Sequence, residues 1–168
     1  MDLLVIRHGI AEDREAFAAG GTDDGLRPLT DDGRRKMRRV ARALTTVVPS
    51  LDVLASSPLA RARQTADLVA KAYSGLPVTE IAQLAPDQPP EAFAEWVRGQ
   101  SKRGAVAAVG HEPLLGRIVS LLLAGRKQSF VEFRKGGACL VTFSDRVEPG
   151  AGILRWILTP GQLRDLRG

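Results

Sequence analysis

Residues 3–13 read LLVIRHGIAED. Leu3, Leu4, Val5 and Ile6 form an apolar run without alternation, the pattern of a strand covered on both faces. The run stops at Arg7, His8 and Gly9, and a long polar stretch follows. Similar short runs recur downstream, DVLAS at 52–56 and AVAAVG at 105–110, and segments of helical period separate them. Residues 31–48 place Met37, Val40, Ala41, Leu44 and Val48 on one stripe, with Thr30 as N-cap and Asp31 and Asp32 in the first turn. Leu59, Ala62, Ala66, Val69 and Tyr73 mark a second helix, LPVTEI at 76–81 a strand, and residues 90–98 a helix opened by Pro90. Residues 113–123 form a helix with Pro113 in its first turn. GACLVTFSD and GILRWIL then read as two strands joined by the turn RVEPGA.

Strands alternating with helices predict an α/β fold: a mainly parallel central sheet with helices on both faces. The short turn between the last two strands makes an antiparallel edge near the C-terminus. With 168 residues and no repeat or linker, residues 1–168 read as a single domain. Residues 9–29 contain Gly20, Gly21, Gly25 and Pro28 and little periodicity, with a short helix expected around Asp13 to Ala19. Connections of that length inside a compact domain are usually functional.

Lys and Arg number 24 against 19 Asp and Glu, for a net charge of +5. Much of the excess lies in Arg34, Arg35, Lys36, Arg38, Arg39 and Arg42, a solvated helix face or a dock for a polyanion. The single cysteine, Cys139, sits in an apolar run and reads as buried filler; one cysteine allows no internal disulfide, as in a reducing cytoplasm. IVSLLLAG at 118–125 is far short of the ~20 apolar residues of a membrane helix, and Asp2 stands where a signal peptide carries positive charge. These features predict a cytoplasmic protein without a membrane partner. Aromatic residues make up 5% of the chain and no RRM, KH or helix-turn-helix pattern occurs, which argues against nucleic acid. Trp96 and Trp156 sit in apolar patterns and are expected in the core.

Open α/β sheets bind ligands outside the carboxyl ends of their strands. Arg7-His8-Gly9 follows the first strand, Ser56-Ser57-Pro58 the second, with Arg61 one turn into the next helix. Leu84 to Asp87 follows the third, and Gly110-His111-Glu112-Pro113 the fourth. Both histidines of the chain are therefore on one rim with two arginines and a helix start, a set that suits a tetrahedral oxyanion such as phosphate. No CxxC or HxxEH spacing points to a metal, and no cofactor is called for.

VIRHG, SSPLARARQTA and AVGHEP resemble the three signatures of the histidine phosphatase superfamily, which includes phosphoglycerate mutases. The short length and RPLTDDGR at 27–34 are similar to its SixA-type branch, the phosphohistidine phosphatases. The resemblance implies a phosphoglycerate mutase-like fold and a phosphatase that works without metal. His8 would be the nucleophile that becomes a phosphohistidine. Arg7 and Arg61 would clamp the phosphoryl oxygens, His111 would complete the pocket, and Gly9 and Glu112 would adjoin the phosphate. Many members carry a glutamate after the third strand as general acid; here that region reads QLAPDQPPE. Asp87 is the nearest carboxylate, and Glu12 and Asp13 are the other candidates. An imidazole leaving group, with a pKa near ~6.5, departs far more easily than an alkoxide. With no room for a large lid between Leu84 and Ala105, the site suits phosphohistidine on a protein. A small phosphate ester, nucleotide or polyphosphate is the alternative substrate, and a non-catalytic phosphate or polyanion binder the alternative of another class.

Overall fold

The computed structural model describes residues 1–166. Its centre is one sheet of six strands: β1 (Asp2–Arg7), β2 (Val53–Ser56), β3 (Val78–Glu80), β4 (Ala105–Gly110), β5 (Ala138–Thr142) and β6 (Ile153–Leu158). They lie in the order β3-β2-β4-β1-β5-β6. β1 pairs parallel with β4, and β2 parallel with both β4 and β3. β5 is antiparallel to β1 and to β6, which makes the antiparallel edge expected near the C-terminus.

Among the described residues six α-helices flank the sheet: α1 (Arg14–Ala19), α2 (Asp31–Val47), α3 (Ala60–Ala72), α4 (Pro90–Arg98), α5 (Leu114–Ala124) and α6 (Pro160–Asp165). Alternation along β1 divides the core. Leu3 and Val5 face Phe93 and Leu115 from α4 and α5. Leu4 and Ile6 face Met37, Leu44 and Val69 from α2 and α3. All four β1 residues are fully buried, and each such side chain contributes about 1.5–3 kcal/mol. The unalternating run is apolar because both of its faces are covered.

The connection 9–29 is closed at its base. Thr30 N donates to Ile10 O at 3.0 Å, and Ala11 bridges Leu29. The Thr30 hydroxyl caps α2 by accepting from Gly33 N at 2.9 Å. Gly33 is required there, since a Cβ would lie 2.0 Å from the Ile10 carbonyl oxygen. α2 can thus sit against the loop that leaves β1 and fix where that loop begins and ends.

Elsewhere the elements fall close to the expected spans. β3 has three residues rather than the six of LPVTEI, because it is an edge strand paired only with β2 and its Thr79 and Glu80 are exposed. The hydrophobic periodicity gives no sign of α6, although Thr159-Pro160 with Gln162 forms a capping box. Cys139 is buried in β5. Trp96 stacks on Phe93 at 5.6 Å and Trp156 packs against the core, both half-buried. In the basic run, Arg34, Arg35 and Lys36 pair with Asp31 and Asp32, while Arg38, Arg39 and Arg42 are exposed. Among the described residues no helix is long and apolar enough to cross a membrane.

Candidate active site

The parallel register of β1 and β4 sets Arg7 opposite Gly110. Each strand's next residue is a histidine, so the register brings both to one point. His8 N donates to Gly110 O at 3.1 Å, and the two imidazoles lie 5.0 Å apart, centre to centre. Both rings are almost wholly buried. Gly9 follows His8 against α2, where a Cβ would come within 2.6 Å of Met37 Cγ. Its N–H donates to Thr65 Oγ1 at 3.1 Å, and that hydroxyl donates to Arg61 O at 2.7 Å. The turn carrying His8 is thereby tied to the helix carrying Arg61.

His8 Nδ1 lies 2.7 Å from the Gly9 carbonyl oxygen. A carbonyl only accepts, so Nδ1 holds the proton and Nε2 keeps its lone pair. Burial lowers the His8 pKa to about 3, against the opposing bond to Gly9, and the cations Arg61, Arg7 and Lys135 push it the same way. Burial likewise lowers His111 to about 3, with His8 and the arginines adding to the effect. Both rings are neutral near pH 7. His111 Nε2 meets the Ser57 hydroxyl at 2.8 Å.

The arginines are seated by backbone and carboxylate. Arg7 Nη1 donates to Phe133 O. Phe133 N in turn donates to Glu112 Oε1 at 2.8 Å, so Glu112 reaches the clamp through the backbone of Phe133. Burial raises the Glu112 pKa. Arg61, in the first turn of α3, donates from Nη1 to Asp24 O at 2.9 Å, and its Nη2 lies 3.2 Å from Asp24 Oδ2. Asp24 Oδ1 also takes Arg27 Nε at 2.7 Å and lies 3.7 Å from Arg14 Nε. The hydrogen bond from Arg27 and the charge of Arg61 hold the Asp24 carboxyl below its usual range. Three cations thus gather on one carboxylate.

These side chains line an open cleft of about 600 Å³. Arg7 Nε, Arg61 Nε and His111 Nδ1 are buried there and have no hydrogen-bond partner in the chain. Buried donors rarely go unmatched, and the two guanidinium Nε–H groups on one electropositive cleft fit an incoming oxyanion. Among the described residues no group of three or more His, Cys, Asp or Glu could hold a metal ion.

The three candidate acids are placed differently. Asp87 is exposed and lines the cleft. The Asp13 carboxylate caps α1, accepting from Glu15 N and Ala16 N at 3.0 and 2.9 Å. Glu12 is exposed beside it, and its backbone carbonyl accepts from Arg27 Nη1. Arg63 faces away from the cleft and pairs with Asp67 and Glu80 at 3.0 and 2.7 Å. Sequence reasoning passed over Arg27, Asp24, Lys135 and Thr65 as parts of the site. Arg27 heads the RPLT stretch and Thr65 lies within SSPLARARQTA, so both carry a signal in the sequence; Asp24 and Lys135 carry none.

A family model described as histidine phosphatase superfamily (branch 1) matches residues 3–85. An uncharacterised protein of Picosynechococcus is 36% identical over 140 residues, covering 82% of each chain. The phosphohistidine phosphatase SixA of Escherichia coli K12 is 26% identical over 167 residues, covering 98% of this chain and 97% of its own. A solved structure of the protein histidine phosphatase SixA complexed with tungstate superposes with a TM-score of 0.82 at 26% identity, over 97% of this chain and 99% of that one. An alpha-ribazole phosphatase from Shigella flexneri shares the fold, with a TM-score of 0.75 at 20% identity, over 95% of this chain and 97% of that one.

Proposed function

The chain belongs to the histidine phosphatase superfamily, and from that premise we propose that it is a metal-independent phosphatase acting through a phosphohistidine formed on His8, with phosphohistidine on a protein as its substrate. The observation that carries the reading is the Nδ1 bond of His8 to Gly9 O. It fixes the one tautomer whose Nε2 lone pair is free to attack, in a buried ring that stays neutral near pH 7.

In the first step Nε2 attacks phosphorus in line. The Nε2–P bond forms, the bond to the leaving group breaks, and that group departs with the electron pair. Arg7 and Arg61 take up charge on the equatorial oxygens, and the orphaned donors of the cleft become satisfied. The imidazolium formed on His8 keeps its Nδ1 proton against the Gly9 carbonyl. In the second step water attacks phosphorus, the P–Nε2 bond breaks, and its electron pair returns to the ring as phosphate leaves.

A phosphohistidine substrate asks least of a general acid, because its leaving imidazole carries a proton near neutral pH. That matches a chain with no glutamate directly after Leu84, and with Asp87 as the acid on the rim. Overall likeness to the Escherichia coli phosphohistidine phosphatase supports the same substrate class. Likeness to a relative that holds tungstate, a tetrahedral oxyanion, supports a phosphoryl site.

The test is a substrate panel assayed with EDTA present: phosphohistidine protein, phosphotyrosine and phosphoserine peptides, nucleotides and sugar phosphates. Turnover is expected to persist under chelation and to be fastest on phosphohistidine. Rapid quenching should trap acid-labile phosphate on the enzyme and none on His8→Ala. Restoration by added Mg²⁺ after chelation, or a preference for sugar phosphates, would overturn the reading.

A further inference from the structure

Beside the phosphoryl cleft lies a second groove of about 750 Å³. The two share Asp87 as a lining residue and so lie side by side. Pro89 and Pro90 at the start of α4 form one wall, with Pro113 ahead of α5 beneath. Lys127, Gln128 and Ser129, from the segment that follows α5, complete the lining. The cleft alone is already in the ~300–1,000 Å³ range of a small-molecule site. A small phosphate ester would fill the cleft and leave the groove without an occupant.

We propose that this groove binds the polypeptide segment flanking the phosphorylated residue, with Arg117 and Phe130 as contact residues. The proposal rests on the reading that the adjoining cleft hydrolyses phosphate. Charge selects the occupant. Asp87, Glu91, Arg117 and Lys127 all line the groove, so it is balanced in sign, and Lys127 is already paired with Glu91. A nucleotide tail or polyphosphate would bring further negative charge against the two carboxylates. A polypeptide carries a neutral backbone and side chains of either sign. The proline walls are stiff and need no ordering.

Phe130 adds an apolar anchor next to Ser129, with 57% of its surface exposed. Its backbone is held in place: Phe130 N donates to Ser120 Oγ at 3.0 Å. Ser129 Oγ donates to Val131 O at 2.6 Å and accepts from Val131 N at 3.2 Å. Phe130 follows the lining residue Ser129 and is not itself part of the groove's lining, and an exposed aromatic ring there is the residue type that dominates protein interfaces. Arg117 is exposed on α5 and its side chain is free to meet a carboxylate or carbonyl of the bound segment.

The experiment compares a short phosphohistidine peptide with free phosphohistidine and with 4-nitrophenyl phosphate, using the intact protein. The wild type should favour the peptide over the free amino acid in kcat/KM. Phe130→Ala and Arg117→Glu should each raise KM for the peptide about tenfold, the scale of a lost interface anchor, and leave both small substrates unchanged. Both positions are exposed, and unchanged turnover of 4-nitrophenyl phosphate reports that the fold is intact. The same peptide carrying phosphotyrosine or phosphoserine separates the two readings. If phosphohistidine is not hydrolysed but another phosphopeptide outperforms its free phosphoamino acid, the substrate assignment fails and the groove stands. No peptide advantage in any form, or equal losses on peptide and small substrates, overturns the groove.

Discussion

Arg61 and Arg63 stand two positions apart on one helix, and the geometry gives them different work. Arg61 is buried in the cleft with Nε unpaired, whereas Arg63 is half exposed and spends its guanidinium on Asp67 and Glu80. Lysine at 61 would supply one point charge where a planar fork can give two parallel hydrogen bonds. Arg61→Lys should lower kcat by about 10²–10³-fold, the scale of a lost oxyanion donor. Arg63→Lys should stay within a factor of two to three in kcat, about the effect of an exposed pair. Steady-state kinetics on 4-nitrophenyl phosphate decide the matter, and equal losses at both positions would place the clamp elsewhere on α3.

At the scale of elements, the turn Asp24–Leu26 decides the clamp. This short 3₁₀ segment carries the carboxylate on which Arg14, Arg27 and Arg61 converge. Without that anion the cations would repel one another and the guanidinium of Arg61 would lose the partner that aims it. Asp24→Asn should therefore lower kcat by up to about 10²-fold, the cost of a displacement near 1 Å, with little change in melting temperature. Asp24→Glu should recover part of the loss. Unaltered kcat in Asp24→Asn would show that packing alone orients Arg61. No sequence period marks Asp24: it lies in the polar connection 9–29, one of several acidic residues, and only the path of that loop over α3 singles it out.

At the scale of the molecule, the two buried histidines tie stability to acid. Each has a folded-state pKa near 3, against 6.5 when unfolded. Between these values the unfolded chain binds protons that the folded chain refuses. Stability therefore falls as pH drops from 6.5 toward about 3, by at most about 1.4 kcal/mol per pH unit for each ring. Urea unfolding at pH 7.5, 6 and 5 should show the midpoint falling steadily. In His8→Ala the fall should be shallower, since one of the two protons is then absent. A midpoint independent of pH over that range would mean that one or both rings titrate normally.

The sheet, its parallel centre, most element bounds and four residues that line the cleft are legible in the amino-acid order. Short apolar runs set off from segments of helical period mark strands buried on both faces, and Arg7, His8, Arg61 and His111 each stand where a strand or helix end announces them. What the tertiary structure decided is how those residues are held. The tautomer of His8 depends on a carbonyl one residue away whose direction is set by the turn, and the aim of Arg7 on Phe133, 126 residues distant in the chain. Asp24, Thr65 and the groove beside Asp87 come from contacts between segments far apart in sequence. Local patterns record which face of an element is buried. They do not record which loop crosses it, because that depends on how the packed elements lay their connections over one another.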